Sequence, residues 1–177
     1  MNIRSVLTYS FLIFAGFLLL TGCSKSDDQR EFENGAFATP SGITETNSSG
    51  DMIGNVDQSD WKISPMYSGL IEIDSELTSP PHPNPLPYNS TLTIQIYFRS
   101  QDPVDELIVR KFRLPSDDRY PQIGYRDQSD LNSSMNTIPI DGNQIAENSS
   151  DDARTLYRIL IYDGKQNLIS YGDIEIQ

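Results

Sequence analysis

Two strand-like segments joined by a tight turn, near the end of the chain, constrain the fold more than any other feature. Thr155 to Tyr162 is strongly apolar and leads into Asp163-Gly164, a dipeptide that supplies the positive-φ positions of a hairpin turn. The segment from Leu168 to Ile176 then reads as the returning strand. We therefore predict an antiparallel hairpin, and alternate residues of its second strand should share one face: Leu168, Ser170, Gly172, Ile174 and Ile176.

A second segment, from Thr91 to Arg99, alternates between apolar and other residues in the manner of a half-buried strand. Its predicted inward set is Leu92, Ile94, Ile96 and Phe98. Three further segments are weaker strand candidates: Leu70 to Leu77, Glu106 to Leu114 and Asn136 to Ile140. The 11 Pro and 11 Gly leave little room for a helix. The pattern predicts an all-β chain, with an immunoglobulin- or fibronectin-like antiparallel β-sandwich over residues 56–177.

Charge and composition exclude several classes of protein and site. The 177 residues carry a formal net charge of −12, which is unsuited to binding the phosphates of a nucleic acid. The chain has one Cys and one His. A framework of internal disulfides and metal sites built from several Cys or several His are therefore excluded.

The N-terminus is organised as a secretory signal, and residues 1–22 are excluded from the fold. Arg4 precedes an apolar run from Val6 to Leu20, which is shorter than the roughly 20 residues that a membrane-spanning helix needs. The run ends in Leu20-Thr21-Gly22-Cys23, which resembles the lipobox of bacterial lipoproteins. The resemblance implies that signal peptidase recognises Leu20, Thr21 and Gly22, that Cys23 receives the lipid, and that cleavage occurs before Cys23.

The same resemblance implies an address in the cell envelope, with the protein held in a membrane by its lipid. Ser24 after the Cys resembles sorting to the outer membrane, and the acidic stretch that follows is similar to surface-export signals of Bacteroidota-type lipoproteins. Pro83-Asn84-Pro85 with Ser90 to Ile94 is similar to the start of a type IX sorting domain, which is also a small β-sandwich. The expected location is the outer membrane, on its periplasmic or its surface face.

Residues 23–55 form the predicted lipidated Cys and flexible linker. This segment is rich in Ser, Asp, Glu, Gly, Asn and Thr, and its few apolar residues show no sustained period. As a flexible chain it would span about 30 Å between the membrane and the sandwich.

Acidic loops are the candidate metal sites of this chain. Asp57-Gln58-Ser59-Asp60 recurs as Asp127-Gln128-Ser129-Asp130, and three more loops carry acids: Asp117-Asp118, Asp141-Gly142-Asn143 and Asp151-Asp152. Clustered loop oxygens suit Ca²⁺, but Asp and Asn also enter loops for turn geometry alone, and no EF-hand spacing occurs. A calcium-stabilised adhesion module is therefore an alternative, and we assign no metal ligand.

Other polar residues are expected to have structural roles. His82 lies in a proline-rich run, Pro80 to Pro87, that we predict to be an exposed loop. Glu72, Asp74 and Glu76 form a predicted outward row that the basic stretch from Arg110 to Arg113 could balance across strands.

Aromatic residues provide the binding alternative. Trp61, Tyr88, Tyr120 and Tyr125 flank Pro- or Gly-rich segments. Exposed loop aromatics stack on sugars or anchor protein partners, whereas the same residues also fill sandwich cores. A carbohydrate-binding surface lipoprotein would show a cluster of exposed aromatics.

We expect a lipid-anchored envelope protein with a binding or structural role, a membrane contact through Cys23, and a protein or glycan partner. No nucleophile motif of the G-x-S-x-G type occurs, so we assign no catalytic residue and no cofactor, and we expect no enzyme. A small hydrolase is the remaining alternative, and it would need a cleft that holds two close carboxyl groups.

Overall fold

A computed structural model describes residues 25–40, 42–101, 103–113, 120–147 and 155–177. Its strands in these ranges are β1 Ile71–Glu72, β2 Thr91–Phe98, β3 Glu106–Arg113, β4 Gln122–Asp127, β5 Met135–Asp141, β6 Leu156–Asp163 and β7 Leu168–Glu175. The helices are α1 Asp27–Gly35, a 3₁₀ helix Pro65–Tyr67 and the short α2 Gly142–Ile145.

The strands form two antiparallel sheets, with the orders β1-β2-β5 and β4-β3-β6-β7. In the strand letters of immunoglobulin domains, the first sheet corresponds to A-B-E and the second to C′-C-F-G. The predicted all-β antiparallel sandwich is confirmed. The weaker strand candidates at residues 106–114 and 136–140 are confirmed as β3 and β5 within the described residues.

The inner faces of the two sheets share one apolar core. The four alternating residues predicted to face inward from β2 are all buried in it: Leu92, Ile94, Ile96 and Phe98. They pack in the same cluster as Val109 of β3 and Ile159 of β6. The period-two pattern therefore gave the right face of this strand.

The predicted hairpin of β6 and β7 is confirmed, but β7 is buried on both faces. Ile174 belongs to the main core, whereas Tyr171 belongs to a second apolar cluster on the outer face. Leu168 also joins the outer cluster, contrary to the predicted single face, since the register shifts between Ile161 and Tyr162. Such a bulge moves the residues beyond it to the opposite face.

Helix α1 covers this outer face, and the structure here differs from the predicted flexible linker. Gln29, Phe32, Glu33 and Ala36 follow helical spacing, and Gln29 and Ala36 are fully buried. Two of these four residues are polar, so the apolar residues of this segment do not by themselves show the period of a helix. Its local signal is at the start, where Ser26 caps the amide of Gln29.

Two other segments also differ from prediction. Strand β1 contains only two residues, because Asp74 has a left-handed backbone conformation with φ 53° and begins a turn within the predicted strand. Strand β4 was not predicted, since its polar, half-exposed residues at the edge of the sheet show no apolar alternation.

The two ends of the sandwich carry different parts of the chain. At the hairpin end, which contains the β6–β7 turn, Tyr67 donates a 2.6 Å hydrogen bond to Asp163 and so fixes the 3₁₀ helix beside the turn. At the C-terminal end, the amide of Tyr88 donates to the carbonyl of Gln177. Helix α1 starts at the hairpin end, because the side chain of Gln29 accepts a 2.7 Å hydrogen bond from Ser64.

Candidate functional site

Three aromatic side chains from distant parts of the sequence meet on the outer face of the four-stranded sheet. Phe37 follows α1, Phe112 lies on β3 and Tyr120 precedes β4. The rings of Phe112 and Tyr120 stack with centroids 5.2 Å apart, and Phe37 meets Tyr120 edge-on at 5.8 Å. These three residues form the aromatic cluster. Phe112 is its buried member, whereas Phe37 and Tyr120 are 49% and 38% exposed.

The aromatic cluster has the chemistry of a stacking surface. Ring faces held by a buried neighbour bind flat apolar surfaces, such as the face of a sugar or an apolar side chain, with little loss of side-chain entropy. Beside it, the Arg110 guanidinium lies 5.6 Å from the centre of the Tyr162 ring and donates a 2.8 Å hydrogen bond to Gln166. A polar contact therefore lies on the same outer face, between β3 and the end of the β6–β7 hairpin.

Of the four aromatics singled out in the sequence, only Tyr120 belongs to this cluster. Trp61 is buried in the core, Tyr88 packs partly against it, and Tyr125 is exposed on β4. Sequence reasoning missed Phe37 because it fell in the predicted linker.

A buried charge network joins the N-terminal segment to the hairpin. Arg158 on β6 binds Asp173 on β7 through two hydrogen bonds of 2.8 and 2.6 Å, and both side chains are fully buried. The third guanidinium nitrogen donates to the carbonyls of Gly35, Ala36 and Ala38 at 2.8 to 3.0 Å. The guanidinium therefore holds the end of α1 on the sheet.

Asp60 extends this network to a second N-terminal segment. One carboxylate oxygen accepts from the amide of Thr44 at 2.9 Å, and the other accepts from the amide of Asp173 at 3.0 Å. Burial, together with the nearby charge of Asp173, raises the pKa of Asp60 to about 7. Burial also raises the pKa of Asp173, and the Arg158 guanidinium acts in the opposite direction.

A shallow groove of about 600 Å³ runs past Asp60 and Trp61 and reaches Asp74. Burial raises the pKa of Asp74, so two carboxyl groups with raised pKa values line this groove. A hydrolytic pair needs carboxyl oxygens that can reach a substrate or a water. Both oxygens of Asp60 already accept main-chain hydrogen bonds, so this residue connects the segment of Thr44 to strand β7.

The two copies of the Asp-Gln-Ser-Asp sequence form the same local turn. Asp57 accepts from the amide and hydroxyl of Ser59 at 2.8 and 2.6 Å, and Asp127 accepts from Ser129 at the same two distances. The bonds from Ser129 lower the pKa of Asp127. These acids therefore serve turn geometry.

The acidic loops do not converge on a metal-binding cluster in the part of the chain that the structure describes. Within these ranges, no three His, Cys, Asp or Glu side chains come together closely enough to hold a metal ion. Two of the acidic loops named from the sequence, Asp117-Asp118 and Asp151-Asp152, lie outside the described residues.

Two polar predictions are corrected by the structure. His82 is buried and not in an exposed loop, because its main chain pairs with Thr93 of β2 and its Nδ1 lies 2.8 Å from the carbonyl oxygen of Pro80. The ion-pair partner of Glu72 is Arg99, not the basic stretch of β3. Within that stretch, Lys111 is buried and binds the carbonyls that end α2.

The lipobox residues Leu20, Thr21, Gly22 and Cys23 lie outside the described residues, so their roles remain predictions. Among the residues that are described, no helix has the length and apolar character needed to cross a membrane. No protein-family model, no curated protein and no solved structure matches this chain.

Proposed function

We propose that this protein is a lipid-anchored, non-catalytic binding module of the bacterial cell envelope. The observation that carries the proposal is the lipobox-like Leu20-Thr21-Gly22-Cys23, which places the only Cys of the chain directly after a signal-like apolar run. Acyl chains on Cys23 would hold the protein in a membrane, since two or more chains make a lasting anchor. The sandwich would then present its outer face to a partner.

Replacement of Cys23 by Ser tests the anchor. We expect the wild-type protein to incorporate a labelled palmitate analogue and to sediment with membranes, whereas Cys23→Ser should lose both properties, because a hydroxyl does not form the thioether. Labelling with fractionation measures the effect, and mass spectrometry of the mature N-terminus identifies the modified residue.

Gly22→Ala is the matched control for this experiment. A lipobox accepts either small residue before the Cys, so this variant should remain lipidated and membrane-bound. Labelling of the Cys23→Ser variant, or a wild-type protein that keeps residues 1–22 and carries no lipid, would contradict the proposed anchor.

The exposed aromatic cluster favours carbohydrate as the partner of this module. Phe37 and Tyr120 are two partly exposed rings whose planes are at right angles and whose centroids lie 5.8 Å apart, and Tyr120 stacks on the buried Phe112. A pair of preordered rings suits the apolar faces of a sugar chain. This candidate function is distinct from a purely structural role, in which the cluster would contact no partner.

Removal of both rings tests this candidate function. We expect the migration of the protein in native gels to be slowed by at least one of soluble starch, xylan or laminarin, and Phe37→Ala/Tyr120→Ala to weaken that binding about tenfold. Tyr125→Ala removes an exposed ring outside the cluster and should bind as the wild type does. Equal loss in both variants, or no retardation of the wild type by any of the three, would contradict carbohydrate binding by the cluster.

A further inference from the structure

We propose that the hairpin end of the sandwich rests against the lipid bilayer, with Met66 and Leu70 at the headgroups, and that the C-terminal end points away from the membrane. The inference rests on the proposed lipidation of Cys23. A flexible linker that spans about 30 Å would let the domain rotate freely. The attachment proposed here gives the domain a fixed orientation at the membrane surface.

The first step is the short chain between the lipid and the folded domain. Lys25 is two residues beyond Cys23, and two residues span at most about 7 Å. Lys25 lies next to the helix, and its half-exposed ammonium group pairs with Glu33 of α1 at 2.7 Å. The next residue, Ser26, caps the helix through a 3.2 Å hydrogen bond from Gln29.

The second step is the attachment of α1 along its length. Near its start, Gln29 accepts hydrogen bonds from Ser64 and from the amide of Met66. At its middle, Phe32 packs on Tyr171 with ring centroids 5.2 Å apart. At its end, Arg158 donates hydrogen bonds to the carbonyls of Gly35, Ala36 and Ala38. A lipid attached just before this helix is therefore attached to a rigid body.

The third step is the position of the anchor. The start of α1 lies beside the 3₁₀ helix at the hairpin end, and two apolar side chains are exposed there. Met66 is 45% exposed and Leu70 is 38% exposed. Apolar side chains next to a lipid anchor gain free energy by entering the headgroup region, about 25 cal/mol for each Å² that leaves water.

The position of the anchor sets which edge of this end approaches the lipids. Asp105, Glu106 and Asp127 form an acidic surface at the hairpin end near β4, and Asp27 and Asp28 are exposed in the first turn of α1. Because both edges carry acids, repulsion from anionic lipids does not select between them. The lipid is attached within a few residues of α1, so the α1 edge faces the membrane.

The same orientation places the aromatic cluster away from the bilayer. Phe37 follows the last turn of α1, a nine-residue helix that rises about 13 Å from the anchored start. The exposed rings then face the space beyond the membrane, where a soluble partner can reach them.

The test uses the full lipidated protein in vesicles of phosphatidylethanolamine and phosphatidylglycerol that carry a headgroup nitroxide quencher. Acylation occupies the thiol of Cys23, so a Cys introduced by Met66→Cys or Leu70→Cys is the sole site for an environment-sensitive fluorophore. Asn89→Cys, at the exposed C-terminal end, is the matched control. We expect severalfold quenching at positions 66 and 70 and none at position 89.

A second variant tests the short chain as the cause. About 15 Gly and Ser residues inserted between Ser24 and Lys25 would span about 21 Å and should abolish the quenching. Persistent quenching in this variant would overturn the proposal, as would equal fluorescence at positions 66 and 89 in protein that floats with the vesicles. Spectral changes at position 66 that follow protein density instead of quencher content would indicate contact between copies, which also overturns it. Protein that fails to float with the vesicles would refute the lipid anchor itself.

Discussion

Replacement of Arg158 by Met is expected to lower the free energy of unfolding by about 3 to 5 kcal/mol. The change leaves the carboxylate of Asp173 fully buried without its countercharge, and it removes the donor shared by the carbonyls of Gly35, Ala36 and Ala38. The whole domain is expected to have only about 5 to 15 kcal/mol of stability, so a large part would be lost. Urea unfolding of a soluble form that starts at Ser24 measures the effect.

Hydrogen exchange shows whether the loss includes the clamp on the N-terminal helix. In Arg158→Met, amides of α1 should exchange faster than those of β2, because the helix loses its attachment while the opposite sheet keeps its own ladder. Arg30→Met is the matched control, since Arg30 forms an exposed pair with Asp27 on the same helix and should cost at most about 1 kcal/mol. Equal costs of the two variants would contradict the clamp.

The strands that could be predicted from the sequence are those that carry a local signal, either an alternation of buried and exposed residues or a turn dipeptide. Thr91 to Phe98 alternates because one face lies in the core and the other lies outside it. The β6–β7 hairpin is marked by its turn dipeptide, Asp163-Gly164, and by a run of apolar residues. That run is apolar on both faces because α1 covers the outer face of the sheet. The helix lies more than 100 residues earlier in the sequence.

The parts that could not be predicted depend on contacts between distant segments. Helix α1 has polar residues at two of its four inward positions, and its last residue is held by a guanidinium that lies 123 residues further along the chain. The aromatic cluster has the same origin, since Phe37, Phe112 and Tyr120 meet only once α1 is packed on β3. No local period in a sequence records such contacts.

The lipid anchor and the charge network act on the same segment of chain. A flexible linker from residue 23 to 55 would let the domain move freely over the membrane. Because α1 is packed on the sheet, only about two residues of chain separate Cys23 from the folded domain. Burying an ion pair contributes little to stability compared with apolar residues of the same volume. Its value here would lie in the fixed direction of the domain relative to the bilayer.

Gly172→Ala is expected to lower the free energy of unfolding by about 3 kcal/mol, at the upper end of the range for an overpacked core. An added methyl carbon would lie 2.6 Å from Cζ2 of Trp61 and closer still to Cε2 and Cδ2. The main-chain amide of Trp61 donates a 2.7 Å hydrogen bond to the carbonyl of Tyr171, which holds its backbone beside β7, and its ring is buried in the core, where close packing leaves little room to rotate. Urea unfolding followed by circular dichroism measures the change.

A double-mutant cycle assigns this cost to the contact with Trp61. Trp61→Leu removes the ring atoms that the methyl group would meet, so Gly172→Ala should cost at least 1 kcal/mol less in that background, by about the coupling expected of residues in contact. Gly42→Ala is the matched control, because its added carbon would meet only a side-chain oxygen of Asp57 at 3.9 Å and should change stability little. An unchanged cost in the Trp61→Leu background would place the effect in the backbone of β7 and refute the steric account.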